Sequence, residues 1–366
     1  MKQIINLILF LAVSVQLASC QNKEKDMGEK FYWQEGTNAP LGYPAEVYRG
    51  GLELPEGGYV SLFHGTIPGD NGWGNPGGGM SSGVKSIPNR LKVKYLSYAE
   101  NQFYYANCDI DYDKIVRHFK ESFKRRDANG KLRDEHFDQI TVGFAPGGMV
   151  IVWISGAGKV VEIGRYQAEK TVIPQSEINE LDPAEHLIFE EAEVKRVMQL
   201  ESIIPKEVQE ANKNKPIPFG LWDTYRIKYN WTPIFQIQNE GSMGDFSFFY
   251  FNGERNKYFY ENNIQAKNNT ELFYQLPNQG LPIPQNIAFN WRDRDNKRYS
   301  GFFRFNEQEI FKAFQEICGE DKETKIEMLV RVNIPNTYAT ILLKGSNGKE
   351  VPLMNHVEDN FFEVKR

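Results

Sequence analysis

The residues whose types and spacing come nearest to chemistry lie between positions 65 and 83, GTIPGDNGWGNPGGGMSSG, nineteen residues with eight glycines. Gly79, Met80, Ser81, Ser82 and Gly83 spell G-x-S-x-G, the pattern of a serine-hydrolase elbow. An elbow needs a strand before the serine and a helix behind it, so that a strained turn lifts the hydroxyl above a parallel sheet. Here glycines precede Ser81 and a strand-like segment beginning at Leu91 follows, so the serine reads as part of a loop of small residues. Gly72, Gly74 and Gly77 spell G-x-G-x-x-G, but Pro76 lies inside and no helix follows to bring its N-terminus to a phosphate. Trp73 and Met80 are the candidate contacts for a partner on this loop, because large apolar side chains on an exposed loop cost solubility unless they are covered. The other fate open to Trp73 is to pack back onto its own sheet.

Elsewhere the patterns are weaker. Gly156, Ala157, Gly158 and Lys159 resemble half of a phosphate loop but lack its first glycine and the closing Ser or Thr, and read as a tight hairpin. Asp109, Asp111 and Asp113 begin like a calcium loop, yet Lys114 and Lys120 stand where it needs Gly and a bidentate Glu. The same acids suit the start of a helix. His64, His118, His136, His186 and His356 show no metal-ligand spacing. No catalytic residue, metal or cofactor is assigned.

The elements that must position these residues come from an apparent duplication. Residues 87–123 recur as 283–317: Ile87 and Pro88 fall on Ile283 and Pro284 and Tyr95 on Trp291, and after one deletion Asp111, Ile115 and Phe119 fall on Asn306, Ile310 and Phe314. In the first copy Leu91, Val93 and Tyr95 alternate with Lys92 and Lys94, the period of a half-buried strand, and a second strand is expected over 102–106. Asp111 caps a helix with an apolar stripe of Ile115, Val116, Phe119 and Phe123. Asn306, with Glu309 three positions on, does the same for Ile310, Phe311, Phe314 and Ile317. Strands at 140–144 and 149–155 with a hairpin into 159–163 follow the first helix, and 326–333 and 339–343 follow the second. Between the copies, 171–218 reads as a helical connector, with one helix from Pro183 to about Leu200 and another opened by Pro205. The second copy's loop is expected at 238–246, shorter than 65–83.

With 43 basic and 48 acidic residues and no basic block, the chain carries no footprint for nucleic acid. Its 25 Phe, 18 Tyr and 6 Trp suit sheets that must bury broad faces. Lys2, an apolar run over 4–15 and the sequence Leu17, Ala18, Ser19, Cys20 have the proportions of a secretory signal over 1–20. Leu-Ala-Ser-Cys resembles the bacterial lipobox, which implies acylation of Cys20 and a bilayer as partner, with 21–30 as tether. The remaining cysteines, Cys108 and Cys318, are expected as buried thiols.

The segments GYPAEVYRGGLELPEGG, GGGMSSGVKSIPNRL, SYAENQFY, DIDYDKIVRHF, VGFAPGGMVIVWISGAGKVVEIGRYQ and IPFGLWDTYRIKYNW together resemble a family of bacterial lipoproteins, common in Bacteroidetes, whose domain has no established function. Members are often encoded beside type VI secretion genes, including phospholipase effectors, so the resemblance implies an immunity-type lipoprotein that occludes a secreted effector. The expectation is an α+β chain of two tandem similar domains, 31–170 and 219–366, each an antiparallel sheet with one packed helix. It is expected at the outer membrane, on its periplasmic side or at the cell surface, as a non-enzymatic binding protein. The alternative is an envelope hydrolase or glycan-binding lipoprotein.

Overall fold

The computed structural model describes residues 28–364, apart from 76, 78, 128, 260–279 and 322 and the side chains of 183 and 184. Cys20, the signal sequence and most of the tether lie outside the described residues. The architecture is mixed α+β and dominated by strands, with six short helices among the described residues.

The first half comprises β1 (Lys30–Asn38), β2 (Ala45–Glu53), β3 (Tyr59–Ser61), β4 (Thr66–Ile67), β5 (Ser82–Ser86), β6 (Arg90–Ser97), β7 (Gln102–Asp109), β8 (Phe123–Arg126), β9 (Leu132–Glu135), β10 (Gln139–Ala145), β11 (Met149–Gly156), β12 (Lys159–Gln167) and β13 (Glu169–Thr171), with α1 (Tyr112–Lys120) after β7. Short helices α2 (Gln175–Ile178), α3 (Glu191–Gln199), α4 (Lys206–Asn212) and α5 (Leu221–Tyr225) lead into the second half. That half holds β14 (Lys228–Tyr229), β15 (Trp231–Ile237), β16 (Ser242–Tyr250), β17 (Arg255–Tyr258), β18 (Leu281–Pro282), β19 (Pro284–Arg292), β20 (Arg298–Phe305), α6 (Glu307–Cys318), β21 (Ile326–Val332), β22 (Ala339–Gly345), β23 (Glu350–Leu353) and β24 (His356–Glu363).

One ten-stranded sheet, ordered β24-β20-β19-β16-β17-β12-β11-β10-β1-β5, runs through both halves and is joined where Val160 meets Arg255. A second sheet, β13-β7-β6-β2-β3, packs on the first half, and β15-β21-β22-β23 on the second. The sheets are not purely antiparallel as expected: β1 pairs in parallel with β10, and β15 with β21. Residue alternation reports which face is buried but not strand direction, and the long excursion between each pair permits the parallel register.

Both long helices start where the sequence places them. Asp111 accepts the Lys114 amide at 3.0 Å, and Asn306 accepts that of Glu309 at 3.0 Å. Glu309 does not close a capping box; its carboxylate takes the amides of Met354 and Asn355 at 2.9 Å each. Ile115, Val116 and Phe119 of α1 are buried on the first sheet pair, and Ile310, Phe314 and Ile317 of α6 on the second.

β11 is the pivot of the packing. Val150, Val152 and Ile154 belong to the first apolar core, whereas Met149, Ile151 and Trp153 belong to the second. All eight of its residues are buried. A strand covered on both faces reads as an unbroken apolar run, as MVIVWI does here.

Two expectations for the connections change. The helix expected from Pro183 to Leu200 is broken at Glu190, whose extended backbone separates a 3-10 segment, Pro183–Phe189, from α3. Phe189 turns inward there and stacks on Phe103 at 5.1 Å and edge-on to Tyr48 at 5.4 Å. This connector packs on β6, through Ile188, Val194 and Val197 against Leu96, and so covers the outer face of the first half's smaller sheet. The loop expected at 238–246 is a turn of four residues, 238–241, followed directly by β16. Gly244 marks an irregular register inside that strand, between Met243 and Phe246, rather than a loop.

Candidate functional site

The glycine-rich loop is sewn to β1. Glu35, Thr37 and Asn38 are 0%, 1% and 2% exposed, so their polar atoms must find partners or pay desolvation. Asn38 donates from Nδ2 to the carbonyls of Gly72 at 3.0 Å and Asn75 at 2.6 Å, and its Oδ1 accepts the amide of Gly74 at 3.1 Å. The Gly77 amide donates to the Thr37 carbonyl at 2.8 Å. Glu35 accepts the amides of Met80 and Ser81, the latter at 2.7 Å, and the Ser81 hydroxyl at 3.1 Å. Gly79 must be glycine, because a Cβ there would sit 2.2 Å from the Glu35 carbonyl oxygen.

The loop also staples the halves together. Trp73 is half-buried, its ring 4.8 Å from Trp153 of β11 and nearly perpendicular to it, and 6.4 Å from Trp222 of α5. A Cβ on Gly74 would meet the Gly253 Cα at 2.5 Å, so two backbones touch here. Arg255 donates to the Asn75 side chain at 2.7 Å. Around this contact, Arg165 pairs with Asp223 through two bonds of 3.1 Å, and Arg226 with Glu162 at 2.8 Å. Met80, by contrast, is 53% exposed.

Ser81 has company that sequence alone did not reveal. Lys85 Nζ donates to its hydroxyl at 2.9 Å, lies 3.6 Å from Glu35 Oε2 and rests 4.2 Å above the Trp33 ring. A Ser–Lys–Glu constellation invites comparison with Ser–Lys nucleophiles, in which a neutral lysine removes the serine proton. Burial lowers the Lys85 pKa, but the adjacent Glu35 carboxylate works against this and favours the ammonium. The Met80 and Ser81 amides, the natural oxyanion donors, are already spent on Glu35. The constellation is a carboxylate lock on a loop end. Ser61 and His64 stand 3.2 Å apart near the end of β3, without a carboxylate on the imidazole among the described residues. The Asp109 to Asp113 acids divide between a pair with Arg90 at 2.6 Å and the helix cap. Among the described residues no His, Cys, Asp and Glu group is placed to hold a metal.

With the clamp, the staple and the lock in place, the chain can be set beside known proteins. The sequence profile of a family described as "Protein of unknown function (DUF2931)" matches residues 19–220, more than half of the chain. The chain belongs to this family. No curated protein and no solved structure matches it. The DUF2931 stretch contains β1, the glycine-rich loop and β11, and it stops just before α5, whose Trp222 receives Trp73.

Two surfaces of the DUF2931 stretch remain open. One is a cleft of about 190 Å³ at the C-terminal end of β1, lined among others by Thr37, Phe63, Thr66, Asp70 and Asn71. The other surrounds β5, the terminal strand of the large sheet, where Tyr32 and Val84 form a cross-strand pair, 58% and 71% exposed, beside the exposed Met80. Cys108 is half-buried on β7 in the first core and Cys318 is buried in the second; both are free, and burial raises both thiol pKa values. No helix among the described residues is long and apolar enough to cross a membrane.

Proposed function

We propose that this protein is an envelope lipoprotein, tethered through acylated Cys20, whose globular part binds another protein without catalysis in the manner of an immunity protein. The observation that carries this reading is the exposed apolar group of Val84 on the terminal strand β5, Tyr32 paired with it on β1 and Met80 just before β5, next to a loop held rigid by Glu35 and Asn38. A terminal strand with a row of backbone donors and acceptors suits an extended segment of a partner, and the exposed Val84 side chain lies on it. A rigid contact surface loses little entropy on binding. The partner contact then centres on Met80 and the β1–β5 edge, with Trp73 supporting the loop from behind.

The proposed architecture is a tandem duplication. What supports it is the recurrence of one pairing order: β1 parallel to β10 with β11 and β12 following antiparallel, and β15 parallel to β21 with β22 and β23 following antiparallel. Asp111 and Asn306 cap the helix that precedes each.

Capture of the tagged protein from its own envelope after mild cross-linking, with a mock-tagged strain as control, tests the function. A stoichiometric secreted-type protein lost in Val84→Asp and Met80→Asp variants is the expected result; capture unaffected by both substitutions would sink the edge assignment. Cys20→Ser, read by lipid mass on the mature N-terminus, tests the tether separately.

A further inference from the structure

We infer that the cleft at the end of β1 binds a single neutral sugar ring or a polyol of that size, a site distinct from the protein-binding edge. Three observations combine. First, Thr37 lines the cleft, and its hydroxyl, which is not a buried orphan, has no hydrogen-bond partner among the described residues. A hydroxyl that is not engaged within the protein can bond a ligand group without giving up an internal bond. Thr66 already donates its proton to Glu46 at 3.0 Å, and so has only lone pairs to offer. Asp70 and Asn71 are exposed and line the cleft with no side-chain partner among the described residues, the first an acceptor, the second both donor and acceptor.

Second, part of the lining is apolar: the half-buried Phe63 contributes with Ile67 and Pro68. A lining that mixes polar groups with apolar surface matches a ring that carries hydroxyls on its rim and C–H bonds on its faces. Third, the charge inventory narrows the ligand. Among the described residues no lysine or arginine lines the cleft, and the one carboxylate there, of Asp70, would repel an anion. One carboxylate is also too few for a hard cation, or for the paired acid and base of a glycosidase. Binding rather than hydrolysis follows. About 190 Å³ is the share of roughly six waters, room for one ring and not for a chain.

The walls are preformed. Gly69 adopts a φ of +78° with its Cα tucked against Ala39 and Pro40, and Asn38 holds the far side of the loop. Little ordering entropy opposes binding to such a site.

The test is an amide-shift titration of the mature protein with D-glucose, D-galactose, D-mannose, N-acetyl-D-glucosamine and myo-inositol in turn, with methylammonium and inorganic phosphate as charged controls. At least one neutral probe should shift Thr37, Gly69, Asp70 and Asn71 while leaving Tyr32 and Val84 unmoved. Thr37→Val, which keeps the buried shape, should weaken that probe roughly fivefold. Asp70→Asn should weaken it about tenfold, and neither substitution should change capture of a protein partner. Thermal stability without ligand checks that both variants fold. Silence from all five neutral probes, a response to methylammonium or phosphate alone, or unchanged affinity in both variants would each overturn the inference.

Discussion

Replacing Glu35 tests whether the glycine-rich loop is a clamped structural member or a free appendage. The carboxylate accepts two loop amides and the Ser81 hydroxyl and pairs with Lys85, whose side chain is only 16% exposed. Glu35→Ala removes the acceptor of all of these and leaves a mostly buried ammonium without its carboxylate, held only by Ser81 and the Trp33 ring. Breaking a buried pair from one side costs about 3–5 kcal/mol. Residues 80 and 81 are exposed enough for water to recover part of the loss, so about 3 kcal/mol is expected. Glu35→Gln keeps one oxygen for the two amides and loses the charge, for about 1–2 kcal/mol. Glu35→Gln combined with Lys85→Met removes both charges together and should be less destabilised than Glu35→Gln alone. The assay is urea unfolding at neutral pH, paired with hydrogen exchange at the Met80 and Ser81 amides, which should be slow in the parent and fast in Glu35→Ala. A loss below about 1 kcal/mol in Glu35→Ala, with those two amides exchanging as in the parent, would refute the lock.

Other substitutions probe the same frame. Trp73→Ala should cost about 2–3 kcal/mol in the same unfolding assay, less than a fully buried Trp because the ring is only half-covered, and Trp73→Phe should recover part of it. Gly74→Ala should destabilise by more than about 1 kcal/mol, since φ is +82° and a Cβ would meet backbone at 2.5 Å; a neutral outcome would mean that the halves do not touch there. Burial lowers the His118 pKa from 6.5, against the pull of Glu121 and with help from Arg117, Lys159 and Lys114. The stability this contributes is therefore complete above about pH 6.5 and is lost as the pH falls through the lower folded value, and His118→Phe should flatten that part of the stability curve. Thiol titration of the folded protein should find Cys108 and Cys318 slow to react, and both should react at once in denaturant; a disulfide would refute their placement in separate cores.

The elements with local signals were the readable ones. Asp111 and Asn306 announced their helices because a cap is a matter of three residues, and Gly156 to Lys159 announced a hairpin because two successive left-handed residues, Ala157 and Gly158, are needed there. Strand direction was not legible, since nothing in the alternation of β1 distinguishes a parallel neighbour from an antiparallel one. Glycine misled in both directions. Gly244 looked like a loop and marks a bulge, while the glycines at 72–79 looked loose and let backbones close on Gly253 and Glu35. The Glu35 lock was invisible, because its partners stand 45 and more residues away along the chain. A carboxylate inside an otherwise strand-like run, KFYWQEGTN, was the one available hint.

The division of β11 between two cores sets the order of events when the chain folds. Val150, Val152 and Ile154 can be covered as soon as the first half exists, but Met149, Ile151 and Trp153 wait for residues beyond 220, among them Trp222, Phe248 and Tyr250. During synthesis the leading half therefore reaches its own topology with this face covered only in part, by Trp73 and Tyr43, until the trailing half arrives. The interval in which Ile151 and Met149 lack their second-half neighbours is when the protein is most exposed to aggregation.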